Sequence, residues 1–175
     1  MAAFKLEVNK LTNAVVYADG ANYFGKAEEV NLPTPKYKMA PHKGLGMMSE
    51  LKYFSGLEPM DMKFKLNAPY KDYLRYMGDP TRKYNIMLRG SLQTFSGTTV
   101  VSSEPYVCTL IVSPQDYPLG NFKQNDNVEL ENNFTCYAVK LEIGGEKLYE
   151  IDVENNVFFA GGRDILAQYR KDVGM

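Results

Sequence analysis

The chain holds one histidine, His42, so any triad built on an imidazole must use it and a multi-histidine metal site is impossible. His42 stands between Pro41 and Lys43 in a loop-like stretch, with no Ser or Cys nucleophile signature beside it. It reads as a surface histidine. Cys108 and Cys136 lack metal-ligand spacing. One disulfide is open to them, but a chain whose N-terminus shows no export signal is expected to keep both as thiols. Each lies in an apolar, strand-like run and reads as a small hydrophobe. Glu28-Glu29 would suit paired acid–base work, yet adjacent residues of an extended segment point to opposite faces, so a solvated pair is expected. Gly44-Leu45-Gly46 lacks the third glycine and the strand–turn–helix setting of a dinucleotide loop. Gly161-Gly162 could face an anion, but no Lys and Ser/Thr are placed as in a phosphate loop, and a tight turn is the better reading. No nucleophile–base pair or metal set emerges. The expectation is a protein that is not an enzyme and needs no cofactor.

Composition narrows the field further. The 175 residues are 45% hydrophobic and 23% charged, with a net charge of −1. This balance suits an ordered domain and disfavours a strongly basic nucleic-acid binder. No apolar run is long enough to span a bilayer, so stable membrane insertion is not expected. Thirteen Tyr and nine Phe, with no Trp, favour half-buried pleated surfaces. Tyr70, Tyr73 and Tyr76 could stack on bases, but the first two share an apolar stripe with Leu74 and Met77, and core packing is the stronger reading.

Strand signals dominate. Met60–Leu66 alternates apolar and charged residues without a fault, which predicts a strand with one buried face. Tyr137–Ile143 and Tyr149–Val153 repeat the pattern. Gly144-Gly145, Asn155-Asn156 and Ser96-Gly97 supply hairpin turns between such runs. Two helices are predicted, over Pro69–Gly78 and over Arg163–Val173 with Leu166, Tyr169 and Val173 on one face. Leu32–Lys36 carries two prolines and reads as an extended arm or loop.

Charge is unevenly spread. Residues 36–89 hold eleven basic and five acidic side chains, a local +6, whereas 126–154 hold two basic and eight acidic, a local −6. Either basic and acidic strands are neighbours in one fold, or one copy meets the next head to tail. In Gly46–Phe54 the adjacent pairs Met47-Met48 and Tyr53-Phe54 make a strand apolar on both faces. Such a strand is either fully buried or shared with another subunit.

Several segments carry a resemblance. Val16–Pro33 is similar to the N-terminal arm of the major tail tube proteins of contractile-tailed phages. Gly44–Met48 continuing to Met60–Phe64 resembles that family's long hairpin, and Tyr149–Val157, Gly161–Leu166 and Val173–Met175 resemble its C-terminal end. The likeness is colinear over nearly the whole chain. The family often carries a Trp in the segment matching Asp116–Gln124, where Phe122 stands here. Gln93–Ser103 is richer in Ser, Thr and Gln than relatives tend to be.

The resemblance implies a mainly β fold: an antiparallel β-sandwich or small barrel with a flanking α-helix and a short C-terminal helix. One tail tube domain would span 1–175, with an N-terminal arm to about residue 40 and a long hairpin over about 44–67. It implies hexameric rings whose strands form a continuous β-barrel, stacked into a hollow conduit for DNA and pushed through the host envelope on sheath contraction. Tubes of R-type bacteriocins and type VI secretion systems share the architecture. The implied partners are further copies of the chain, the tail sheath protein, baseplate and initiator proteins, a tape measure protein in the lumen, and DNA that passes without sequence-specific binding. The implied location is the virion tail, assembled in the host cytoplasm. For subunit contacts the two-sided apolar pattern selects Met47, Met48, Leu51, Tyr53 and Phe54, with Val16–Leu32 as a second candidate. The runner-up reading is the tube of a contractile bacteriocin or injection system, and a small-ligand-binding β-barrel module is the more distant rival.

Overall fold

The structure is a computed structural model that describes residues 6–121, 124 and 128–175. Phe122 and the first five residues of the expected arm lie outside the described residues. Twelve strands and two short helices follow in chain order among the described residues. The first six strands are β1 (Glu7–Ala18), β2 (Ala21–Asn22), β3 (Ala27–Asn31), β4 (Tyr37–His42), β5 (Leu51–Leu57) and β6 (Met60–Leu66). Helix α1 (Lys71–Tyr76) precedes β7 (Tyr84–Ser96), β8 (Thr99–Pro114), β9 (Leu130–Ile143), β10 (Glu146–Asp152), β11 (Val157–Ala160) and β12 (Arg163–Asp164). Helix α2 (Ala167–Asp172) ends the chain.

Ten strands form one antiparallel sheet in the order β12-β11-β10-β9-β8-β7-β1-β2, with β6 and β3 branching from β9. The branch has a local cause. The first half of β9 pairs with β6, from Leu66↔Leu130 to Met60↔Cys136, and its second half pairs with β10, from Asp152↔Ala138 to Glu146↔Ile143. Between the halves Tyr137 is an extra residue against β8, whose register passes from Ile111↔Ala138 to Val112↔Cys136. A bulge of this kind bends the strand and raises its twist, so two different strands succeed each other along one edge of β9. The curled sheet brings β1 toward β3: Ala14 and Val16 line the same cavity as Ala27 and Val30. This is the mainly β, antiparallel fold with two short helices that the sequence predicts.

The core follows from strand alternation. Met60, Met62, Phe64 and Leu66 are buried while Asp61 and Lys63 between them are exposed. They join Ile86, Leu110, Val112, Leu130 and Phe134. Helix α1 and its C-cap residue close one side with Tyr73 and Met77, and Tyr23, Phe64 and Tyr73 meet edge-to-face at centroid separations of 5.6–6.2 Å. The Tyr73 hydroxyl donates to Asn132 Oδ1 at 3.0 Å, and Asn132 Nδ2 donates to the Asp116 carbonyl at 3.1 Å. The buried amide is thereby satisfied. Burial pushes the Tyr73 phenol well above its ordinary value.

Three expectations need correction. The predicted helix over Arg163–Val173 begins only at Ala167. Gly161 and Gly162 both take positive φ (59° and 77°), the geometry of a two-residue hairpin turn. They turn β11 into β12, where Arg163 pairs with Ala160 and Asp164 with Phe159. Of the expected stripe, Leu166 packs on the core while Tyr169 and Val173 stay exposed.

The hairpin placed over 44–67 lies instead over Tyr37–Leu57: β5 pairs with β4 in a separate two-stranded sheet, and β6 pairs with β3 and β9. Glu58-Pro59 marks the change of partner, with Glu58 N–H donating to the Lys36 carbonyl at 2.9 Å. Within the segment expected as an N-terminal arm, Glu7–Ala18 runs along β7 as part of the main sheet. Finally, the turn between β7 and β8 is centred one residue later than predicted, on Gly97-Thr98, with Gly97 at φ 64°.

Candidate assembly surfaces

The β4–β5 hairpin is held to the main sheet by aromatic packing. Phe158 of β11, itself buried, lies 6.0 Å from Tyr37, 5.9 Å from Phe54 and 5.9 Å from Tyr149 between ring centroids. Tyr37 and Phe54 meet at 6.0 Å. The Tyr37 and Tyr149 hydroxyls are 3.4 Å apart. Burial, and then the hydrogen bond with Tyr37, raises the Tyr149 phenol above its ordinary value.

Beyond this clamp both faces of the hairpin are open. The register pairs Met39 with Phe54, Ala40 with Tyr53 and His42 with Leu51. Met39, Leu51, Tyr53 and Phe54 are all exposed. The His42 ring sits 6.1 Å from the Tyr53 ring. The turn at the tip is ordered by its own contacts: Gly44 N–H reaches Met47 Sδ at 3.1 Å and Met47 N–H donates to the Gly44 carbonyl at 3.2 Å. Met47 is therefore half-buried in the turn, whereas Leu45 and Met48 project fully into solvent.

Of the five residues selected from the sequence, the structure thus brings Leu51, Tyr53 and Phe54 onto one exposed hairpin and Met48 onto its tip, and folds Met47 inward. Leu45 and Met39 belong to the same surface and escape selection from the sequence. Leu45 sits between two glycines in a loop, and Met39 on a short strand broken by Pro41, so neither carries a periodic signal. Within Val16–Leu32, the second candidate, Val16, Ala18 and Tyr23 are core residues and Phe24 is exposed.

A second open surface is the far end of the main sheet. Residues 7–12 of β1, 91–96 of β7 and 99–105 of β8 extend past the core and are exposed or half-buried. β2 pairs only with Tyr17 and Ala18, and the Tyr23 N–H donates to the Val16 carbonyl at 2.8 Å, so the outer edge of β1 from Glu7 to Val15 carries no ladder partner among the described residues. On the other side, β11 covers β10 only from Tyr149 to Asp152, which leaves Glu146–Leu148 likewise open among the described residues. Two ion pairs lie on β9 and β10. Lys140 meets Glu142 at 2.8 Å and Lys147 meets Glu150 at 2.7 Å. The hydrogen bond to Glu142 holds the Lys140 ammonium above its ordinary value.

The uneven charge along the chain is partly explained inside the fold. Basic β6 lies beside acidic β9, with Lys63–Glu131 at 2.8 Å and Lys65–Glu129 at 2.9 Å, and Lys83 pairs with Glu154. Glu28 also reaches Lys65, at 3.2 Å, consistent with a solvated acid pair at Glu28-Glu29. Cys108 and Cys136 are buried free thiols whose pKa values burial pushes to about 11 and about 12, so neither is an activated nucleophile.

Comparison with known proteins agrees with this architecture. The solved cryo-EM structure of an extracellular contractile injection system, the PVC sheath–tube complex in the extended state, contains a chain that superposes with a TM-score of 0.51 at 14% identity. The match covers 74% of this chain and 87% of that one, and it shows a shared fold. The tail tube protein of Escherichia phage P2 is 26% identical over 171 residues, covering 95% of this chain and 96% of the relative. The family model for phage tail tube protein FII matches residues 8–174, from the first long strand to the C-terminal turn. The chain belongs to the phage tail tube protein FII family and is a structural tail tube subunit.

Proposed function

We propose that this subunit closes into hexameric rings that stack into the hollow inner tube of a contractile tail. The observation that carries this reading is the pair of open strand edges, one along β1 and one at the start of β10. Unpaired edges recruit further strands, and a closed ring of identical copies removes them. The exposed apolar hairpin supports packing between subunits or rings through Met48, Leu51, Tyr53 and Phe54, with Met47 ordering the turn behind them. The ring's sheet extensions form one continuous β-barrel around the bore.

The tube conducts DNA and is driven through the host envelope when the surrounding sheath contracts. A conduit must not retain its cargo, because each phosphate met by an unmatched Lys or Arg adds affinity. The sheet extensions carry Glu7, Lys10 and Glu104, a net −1, which supports a neutral or acidic bore. The whole chain acts as one tube module, without catalysis. Its partners are the sheath protein, a baseplate initiator and a tape measure protein, and it is assembled in the host cytoplasm before joining the virion.

The likeness to a contractile injection system favours a second reading, a tube of a headless injection particle or bacteriocin. Electron microscopy of the purified protein tests the assembly: rings or tubes are expected, and a monodisperse monomer at all concentrations, with or without the other tail components, contradicts it. Mass spectrometry of native particles separates the two readings, since capsid protein accompanies only a phage tube.

A further inference from the structure

A cavity of 390 Å³ opens where the hairpin leaves the main sheet. Met60, Ile151, Val157 and Leu166 are among its apolar walls, and its charged lining residues are acids, Glu58 and Asp152, with no Lys, Arg or His among the described ones. The hairpin tip has the complementary character. Leu45 and Met48 project from it as two fully exposed apolar side chains, held out by the Gly44–Met47 turn. Lys43 and Lys52 against Glu50 leave the tip, residues 42–52, at a net +1, while Lys36 and Lys38 stand at the hairpin's base opposite Gly56–Glu58.

The tip cannot fill the cavity of its own chain. Phe54, Gly56 and Leu57 of β5 already form part of that cavity's wall. Met48 lies six residues before Phe54 along the hairpin, about 20 Å of extended strand. Folding it back would break the β4–β5 ladder, including Met39↔Phe54 and Ala40↔Tyr53. We propose that the cavity is the seat for the hairpin tip of a second copy, with Leu45 and Met48 of one subunit entering between β5–β6 and β10–β11 of the next. Knob and seat are different surfaces, so the contact is heterologous and propagates in one direction, as a ring or a stack requires. Burying two apolar side chains drives the contact, and the basic tip against the acidic rim sets its orientation.

This inference rests on the tube reading, and cross-linking in the assembled state separates the two. Met48→Cys and Val153→Cys are made singly and together; Val153 is an exposed residue on the cavity wall, and Val157→Cys replaces it should that variant fold poorly. All variants carry Cys136→Ala, because that thiol lines the cavity and would accept a link from Met48→Cys, and the chain with Cys136→Ala alone gives the background. Assemblies are treated with a short bismaleimide and resolved on denaturing gels. We expect a dimer band when the two single variants are mixed, no such band from either alone, and a ladder of higher oligomers from the double variant. Tubes that form normally without these cross-links overturn the seat and leave the tube reading standing. A double variant that stops at dimers overturns the one-directional contact, because reciprocal exchange closes after two copies. Failure of the parent chain to assemble under any condition overturns the tube reading and the seat with it.

Discussion

Tyr37 and Tyr149 place their hydroxyl oxygens 3.4 Å apart where the β4–β5 hairpin meets β10, beside the buried Phe158. The hydrogen bond is long, and a bond of this kind contributes about 0.5–1.5 kcal/mol at best. The aromatic packing around Phe158 matters more, since removing a buried Phe side chain costs about 3–5 kcal/mol. Phe158→Ala is therefore expected to destabilise the fold by that order and to release the hairpin, whereas Tyr149→Phe has a small effect. Chemical denaturation gives the stabilities, and limited proteolysis within 38–53 reports the release. Equal effects of the two variants would show that the hydroxyl contact, and not ring packing, holds the hairpin.

Phe54 belongs both to this clamp and to the exposed apolar surface of the hairpin. Phe54→Asp introduces a charge at a surface that the proposed assembly buries against another copy. The expected product is a soluble monomer that no longer forms tubes. Negative-stain images and sedimentation check this, and tubes of normal length from the variant would remove the hairpin from the assembly surface.

Gly90 has a packing reason to lack a side chain. A Cβ there would lie 2.7 Å from Leu11 Cδ1 across the β1–β7 ladder. Gly90→Ala forces Leu11 to move, and the cost is modest because the obstacle is the flexible end of a side chain. The prediction is that Leu11→Ala relieves part of that cost, giving a favourable coupling in a double-mutant cycle. Strict additivity of the two substitutions would mean that they do not meet.

Asp164 accepts from the Leu166 amide at 3.1 Å and pairs with the Arg170 guanidinium. The hydrogen bond from Arg170 is the main cause that holds this carboxyl below its ordinary value of 3.8. A carboxyl depressed in the folded state contributes stability above its unfolded pKa and loses it as pH falls through the folded value. Asp164→Asn should therefore lower the melting temperature at neutral pH and have a shrinking effect below about pH 4. Melting curves from neutral pH into the acid range measure this; a difference between the variants that grows toward low pH would contradict the sign.

Much of this fold was legible because period-two alternation states which face is buried. Met60–Leu66 behaves in the structure as its pattern dictates, and Tyr73 and Met77 of the first helical segment pack as their spacing requires. What alternation could not reveal is where it slips. Tyr137 begins a faultless alternating run in the sequence, yet it is the bulged residue at which the buried set of β9 shifts from Cys136 to Val139. The sequence overextends the C-terminal helix because Gly161-Gly162 suits a turn into a helix as well as a hairpin, and only the pairing of Arg163-Asp164 decides between them.

The assembly surface was legible in part for a related reason. Tyr53 and Phe54 announce a two-sided apolar strand, but the sequence offers no sign that its partner is β4. Two prolines precede that strand and a third interrupts it. Leu45, the most exposed of the tip residues, looks like loop filling until the turn that displays it is seen.

The central claim is that identical copies satisfy the open strand edges of this subunit around a hollow axis. A cryo-EM reconstruction of the assembled protein tests it most directly, by showing what lies beside β1 from Glu7 to Val15. The expected result is a set of backbone hydrogen bonds from this edge to a strand of the neighbouring subunit, repeated around the ring. An assembly in which that edge faces solvent, with the subunits joined elsewhere, would contradict it.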